Sequence, residues 1–126
     1  MANPSITGGT GAGTEVLRRF YKSDLTNTEV KIIDGVADHI YTLLSLVVTE
    51  QGDTSTQSIT LKIQQGASGS DENVTHLLRN QVIGLRQTFV FSEKIIITDT
   101  DELIIYTSDS GTNMDVLCTY IDQTFA

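Results

Sequence analysis

Short runs of alternating hydrophobic and polar residues, separated by turn residues, make up most of this chain. In the strongest example, Ile59, Leu61 and Ile63 alternate with polar residues. A period of two is typical of a β-strand with one buried face and one solvated face. The preceding run, Ile40–Glu50, is apolar at both parities, which favours a central strand covered on both sides. Because the polar segment 51–56 supplies turn residues, we predict that the two runs pair as a central hairpin.

The same strand pattern continues on both sides of this pair. Residues 15–22 and 73–81 fit either a strand or one face of a helix, and their surroundings favour strands. About eight short strands predict an all-β fold, an antiparallel two-sheet β-sandwich of the jelly-roll or Ig-like kind. The remaining predicted strands are 29–33, 87–91, 95–98, 103–107 and 115–122.

Residues 1–14 differ from the rest of the chain because they offer almost no side chain to bury. Gly8, Gly9, Gly11 and Gly13 lie among serine and threonine residues. Such a segment alone cannot offset an ordering entropy of about 1–2 kcal/mol per residue. A glycine-rich phosphate loop would follow a strand and end in Gly-Lys-Ser/Thr, and neither feature is present. We therefore predict a flexible N-terminal arm over residues 1–14 and a β-sandwich domain over residues 15–126.

Charge and cysteine content narrow the class of protein. The 126 residues carry a net charge of −8, and the eight Lys and Arg residues are scattered, which argues against nucleic-acid and membrane-surface binding. No apolar run approaches the ~20 residues of a membrane span, and the N-terminus lacks the features of a secretory signal, so we expect folding in a cytoplasm. The single cysteine, Cys118, lies in an apolar run and is predicted to be a small buried hydrophobe.

The densest carboxylate group is Asp99, Asp101 and Glu102. Three carboxylates in one loop can contribute to a Ca²⁺ site, which needs six to eight oxygen ligands. The segment lacks the glycine and the later glutamate of a helix-loop-helix calcium site. We therefore favour an acidic β-turn over a cation site.

His39 and His76 are the only histidines, and each is a candidate base for a hydrolytic triad. Ser45 and Ser108–Ser110 are candidate nucleophiles, but no Gly-x-Ser-x-Gly motif surrounds them. We therefore predict that both histidines lie at the rim of the fold. No catalytic, cofactor or metal site is predicted, and the protein is expected not to be an enzyme.

In the opening segment Tyr21 is followed, after a short gap, by Leu25-Thr-Asn-Thr28, and central and closing strand segments come later in the chain. Together these segments resemble the opening segment and the central and closing strands of a family of small tailed-bacteriophage virion proteins. The resemblance is a pattern of strands and turns over roughly residues 19–122. It departs at Ile83–Arg86, where the family usually has a small-residue turn, often Ala-Gly. The matching segments are 19–28, 41–49, 58–63, 89–97, 101–106 and 114–120.

This resemblance implies a β-sandwich virion protein that decorates or cements a capsid by bridging subunits of the major capsid protein. The location would be the capsid surface of a virion made in the host cytoplasm. Symmetric display on such a surface favours a homo-oligomer, with a trimer at three-fold positions. The arm at 1–14 would order on a neighbour or extend one of its edge strands. Alternatives are a head-tail connector, a tail or fibre component, or a carbohydrate- or receptor-binding sandwich, although the chain has no Trp and only four Tyr for stacking.

Overall fold

The computed structural model describes residues 13–52, 56–65, 73–108 and 113–125, and no α-helix occurs within them. The predicted strands are present to within a few residues, and both ambiguous segments are strands. The first twelve residues of the predicted arm lie outside the described part. The strands are β1 Thr14–Lys22, β2 Val30–Asp34, β3 His39–Glu50, β4 Gln57–Gln64, β5 Val74–Ile83, β6 Thr88–Phe91, β7 Ile96–Thr98, β8 Glu102–Thr107 and β9 Met114–Thr124.

The strands form two antiparallel sheets. Sheet A has the order β1-β9-β3-β6, and β7 also pairs with β3; sheet B has the order β2-β8-β4-β5. Because β6 pairs with Leu46–Thr49 and β7 with Ile40–Thr42, the two share one edge position of sheet A. Nine strands therefore fill eight positions, and most chain connections cross from one sheet to the other. This topology is a jelly roll. It confirms the predicted two-sheet sandwich, and the fold is of the jelly-roll rather than the Ig-like kind.

The core lies between the sheets and is built from residues that alternate along each strand. Cys118 is fully buried there, as predicted, and Phe89 and Phe91 pack against the core from the edge of sheet A. The fully buried apolar residues are Leu25, Leu43, Leu46, Val48, Ile59, Leu61, Ile97, Leu103, Ile105, Met114 and Cys118.

The predicted central hairpin is wrong, because β3 lies in sheet A and β4 lies in sheet B. A bulge between Leu43 and Ser45 explains the misleading pattern. Tyr41 and Leu43 are buried before it, and Leu46 and Val48 are buried after it, so the inward parity changes within the strand. The apolar residues at both parities therefore mark a bulge rather than a strand covered on both faces.

The predicted solvated face of β4 is also wrong. Thr60, Lys62 and Gln64 are buried, although they alternate with the core residues as expected. The Lys62 Nζ atom lies 2.6 Å from Glu29 Oε2 and 5.6 Å from the ring centroid of Tyr106. The outer face of sheet B is thus buried along its central strand β4, where the Lys62 ammonium group is paired.

Candidate functional site: the outer face of sheet A

Sheet A turns exposed apolar side chains away from the core, and we call this surface the outer face. On the edge strand β1, Leu17 is 67% and Tyr21 is 70% exposed. On the opposite edge, Val90 of β6 is 56% and Ile96 of β7 is 63% exposed. Single exposed apolar residues are ordinary on soluble proteins, but contiguous ones mark interaction surfaces.

Strand register gathers these residues into two rows that run across all four strand positions. Cross-strand neighbours have Cβ atoms about 4.5–5.5 Å apart, so each row is a continuous strip about 15 Å long. The upper row is Tyr21, Leu117, Val47 and Val90. The lower row is Leu17, Ile121, Thr42 and Ile96.

A polar middle row separates the two apolar rows. It runs from Arg19 through Thr119 to Ser45. The guanidinium group of Arg19 lies 5.5 Å from the ring centroid of Tyr21, within cation–π range. The outer face therefore presents an apolar, a polar and a second apolar strip, with a cation at the β1 edge.

A groove of about 290 Å³ opens at the upper row, between Tyr21, Val47 and Leu117. Its polar end is lined by Lys22 and Asp115. The Asp115 carboxylate accepts hydrogen bonds from the Asp24 amide, at 3.0 Å, and from the Gln51 side chain. The groove is near the lower limit of about 300–1,000 Å³ for small-molecule sites and lies on an open sheet surface. This shape suits a side chain protruding from another protein.

A separate polar cluster lies on the inward side of sheet A, where Asp122 of β9 is almost fully buried. Its Oδ2 atom accepts from Arg18 Nε at 2.8 Å, and its Oδ1 atom accepts from His39 Nδ1 at 2.7 Å. The His39 ring stacks on Tyr41 with centroids 5.6 Å apart. The hydrogen bond that Arg18 donates to Asp122 raises the pKa of the Arg18 guanidinium. One carboxylate thus connects β1, β9 and β3.

The structure does not bring the candidate triad residues together. Asp122 gives His39 a carboxylate partner, but no hydroxyl or thiol of the described residues hydrogen-bonds to its ring. His76 is exposed on β5 in the other sheet. Ser45 lies in the middle row of the outer face, and Ser108 accepts from the Ser58 amide; residues 109–110 lie outside the described part. His39 therefore acts as a contact between strands.

The predicted acidic turn is present, but its carboxylates point to different partners. Asp99 has a left-handed φ of 52° and accepts from the Asp38 amide at 3.1 Å. Glu102 is buried and lies 2.7 Å from Lys31 Nζ. The turn packs against Gly35, where a Cβ atom would overlap backbone oxygens of Asp99 and Asp101. Within the described residues no group of three His, Cys, Asp or Glu side chains is placed to hold a metal ion.

Replacing Asp122 by alanine is expected to lower the free energy of unfolding by about 3 kcal/mol, because two charge-assisted hydrogen bonds are lost. The half-exposed Arg18 can hydrate, which keeps this loss below that of a fully buried pair. Urea denaturation measures the change.

The matched control for Asp122→Ala is Asp34→Ala, which removes an exposed carboxylate 3.9 Å from Lys31. We expect that control to stay within about 0.5 kcal/mol of the wild type. If Asp122→Ala lowered the free energy of unfolding by less than about 1 kcal/mol, this would contradict a stabilising role of the polar cluster.

The sequence interpretation did not single out the outer face. The available signal was a break in alternation within edge strands, at Val16-Leu17 and at Ile95-Ile96-Ile97. A strand with one solvated face should carry polar residues at every second position. Consecutive apolar residues on an edge strand therefore indicate that its outward face is covered by another protein surface.

No known family model matches this chain, and no curated protein matches it. Among the described residues there is no helix with the length and apolar character to span a bilayer.

Several solved structures are similar in fold. One is a chain of the Bacillus endospore appendages, which form disulfide-linked pili; it is 14% identical, with a TM-score of 0.51, and the match covers 100% of both chains. A chain of the T13 particle of infectious bursal disease virus is 10% identical, with a TM-score of 0.55 over 89% of this chain. A chain of the Gx strain of that virus is 13% identical, with a TM-score of 0.50 over 92% of this chain.

This chain spans only 31% and 32% of the two virus chains, but the full length of the pilus chain. At these identities the likeness is one of fold, and it agrees with the two-sheet sandwich predicted from the sequence.

Proposed function

We propose that this protein is a non-enzymatic structural subunit that works by binding other protein subunits. More specifically, we propose a decoration, or cement, protein on the capsid surface of a virion, with the major capsid protein as partner. The observation that carries the proposal is the outer face, where an upper row that is wholly apolar and a lower row interrupted only by Thr42 cross the sheet. Leu17, Tyr21, Val90 and Ile96 are all more than half exposed there. A protein that worked alone in water would have no use for such a surface.

The size of the outer face suits a protein partner. Strands about 4.8 Å apart in four positions, each with about nine residues at about 3.3 Å, make a face of roughly 600 Å². A stable interface buries about 800 Å² from each partner. Removing apolar area from water stabilises an association by about 25 cal/mol per Å². The outer face can therefore supply most of one standard interface.

Two further observations support the virion assignment. The jelly-roll fold is shared with chains of a virus particle, and the strand and turn pattern resembles tailed-phage virion proteins. The arm at 1–14, mostly outside the described residues, is proposed to reach a neighbouring capsid subunit. Head-tail connector, tail and fibre positions remain alternatives within the same class.

A pilus or fibre subunit is the second candidate, favoured by one specific observation. The match to the endospore appendage chain covers all of both chains, whereas the matches to the virus chains cover 31% and 32% of those chains. The single cysteine of the present chain is fully buried, so a subunit linked through Cys118 would need a local opening of the core. A fibre of this protein would instead depend on its surfaces.

Electron microscopy of purified virions tests the proposal directly. We expect the chain to be located on the outer capsid surface, where it bridges capsid subunits. Particles that lack it should release their genome at a lower temperature, and purified protein added back should restore the wild-type temperature. Location in the tail, or in a filament formed by this chain alone, would contradict the decoration role.

The arm has its own test in a variant that lacks residues 1–12. Because β1 begins at Thr14, this variant keeps every described strand. We expect an unchanged melting temperature and particle binding weaker by about tenfold, equal to about 1.4 kcal/mol. Equal particle binding by the shortened protein would contradict a binding role for the arm. It would not affect the proposal that the outer face binds another subunit.

A further inference from the structure

We infer that the outer face is covered by the outer face of a second copy of this chain, in a two-fold dimer whose axis runs parallel to the strands. This inference rests on the proposed role as a subunit that binds other protein subunits, and it names a second copy of this chain, rather than the capsid protein, as the subunit that covers the outer face.

A two-fold axis parallel to the strands reverses the strand order but keeps the rows aligned. Strand β1 of one copy then lies over the β6–β7 edge of the second copy. Tyr21 faces Val90 of the second copy, and Leu17 faces Ile96 of the second copy. Because the contact is isologous, each pair occurs twice, and both apolar rows of each copy are covered by apolar rows.

A two-fold axis perpendicular to the strands gives a worse match. It places β1 over β1 and exchanges the upper row with the lower row. Arg19, which lies in the middle row, would then face Arg19 of the second copy. Like charges placed against each other at an interface oppose association, so this arrangement is disfavoured.

The parallel axis also places opposite charges together. In the middle row, Arg19 lies opposite the link between β6 and β7 of the second copy. That link carries the exposed carboxylate of Glu93 and the ammonium group of Lys94. Lys94 Nζ donates to the carbonyl oxygens of Leu44, at 3.4 Å, and Ser92, at 3.3 Å, which holds it against its own backbone. In this arrangement Glu93 is the group that would pair with Arg19, whereas Lys94 keeps its charge beside its own backbone, and the Arg19–Glu93 pair occurs twice.

The buried area is consistent with a reversible dimer. Two faces of roughly 600 Å² bury roughly 1,200 Å² in total, at the lower end of the range for specific interfaces. Packed sheets cross at about 30°, which at the centre of the face keeps the two apolar rows over each other. The dimer differs from the trimer that symmetric display on a capsid favours.

Sedimentation equilibrium of the full-length protein at about 0.15 M salt tests the dimer and its axis. Arg19→Glu alone and Glu93→Arg alone are each expected to raise the dimer Kd by about tenfold or more. The double variant, with the two charges exchanged, is expected to return to within about threefold of the wild type. Arg79→Glu, on the exposed part of β5, is the charge control and should leave Kd unchanged.

The apolar rows have a matched pair of variants. Val90→Glu should raise the dimer Kd by about 100-fold, because two apolar contacts per dimer are lost and two charges are buried. Val82→Glu makes the same change on β5 of sheet B, where the side chain is 61% exposed, and should have no effect. Circular dichroism on each variant confirms that the fold is kept.

Three outcomes would overturn the inference: a wild-type protein that stays monomeric, equal effects of Val90→Glu and Val82→Glu, or no rescue by the double charge exchange. A monomer that still binds virions would leave the proposed function intact. A dimer that binds neither virions nor capsid protein would support this inference and contradict the decoration role.

Discussion

Replacing Leu46 by aspartate is expected to abolish folding. Leu46 is fully buried on β3, with Cys118 and Phe91 as its cross-strand neighbours. A carboxylate at this position has no partner and no water, and the penalty of several kcal/mol or more is comparable with the total stability of about 5–15 kcal/mol of a domain. The far-UV circular dichroism spectrum should lose its β signal, and the cooperative thermal transition should disappear.

The control for this prediction is the same substitution at Leu17. That side chain is 67% exposed on the outer face of the single subunit, so in protein dilute enough to be monomeric Leu17→Asp should keep the cooperative transition, with a change in the free energy of unfolding within about 0.5 kcal/mol. The two variants place the same substitution on the inward and the outward side of sheet A, so the difference between them measures the effect of burial in the core. A cooperative transition in Leu46→Asp would contradict the assignment of Leu46 to the core.

Alkaline pH is expected to destabilise the protein through Cys118. Burial raises the pKa of the Cys118 thiol from 9.0 to about 12 in the folded state. Because the folded protein keeps the proton that the unfolded chain releases, stability is complete below about pH 9 and falls as the pH rises toward 12. Three pKa units correspond to about 4 kcal/mol. Burial also raises the pKa values of Tyr41 and Tyr120, which act in the same direction.

Urea denaturation at several pH values measures this dependence, with Cys118→Ala as the control. The variant loses some packing at every pH, but the decline of its stability between pH 9 and 12 should be smaller than in the wild type. A thiol reagent gives a second measurement, because only the thiolate reacts. At pH 8 the native thiol should react about a thousandfold more slowly than the unfolded thiol, since the pKa differs by about three units. Rapid labelling under native conditions would contradict the burial of Cys118.

The location of strands could be predicted from local patterns, but their partners could not. The alternation of Val116 and Cys118 identified β9, and Phe89 and Phe91 identified β6. The pairing of β3 with β9 joins residues from 64 positions apart (Glu50 and Met114) to 85 positions apart (His39 and Thr124), and no local signal encodes such a contact. The bulge near Leu44 made the prediction worse, because it moved the inward parity within one strand and produced the false appearance of a doubly covered hairpin.

The residues of the outer face could not be predicted from local sequence patterns either. Leu17 and Ile121 become neighbours only because β1 pairs with β9, and Val90 joins Val47 only because β6 lies on the other side of β3. Each residue alone is an ordinary hydrophobic residue of a strand. The polar cluster was equally hidden, since Arg18 and Asp122 are 104 residues apart in the sequence. A surface that is assembled from four strands becomes visible only when their order is known.

The division of one edge of sheet A into β6 and β7 has a consequence for growth by edge pairing. That edge offers pieces of four and three residues, whereas the opposite edge, β1, offers nine continuous residues. Short, interrupted edges are poor templates for strand addition. If sheets A of two copies joined edge to edge, only β1 would give a long ladder, and a β1–β1 pair would leave two interrupted edges outside. Such a ladder ends after two subunits, so edge pairing through sheet A alone does not lead to endless polymerisation.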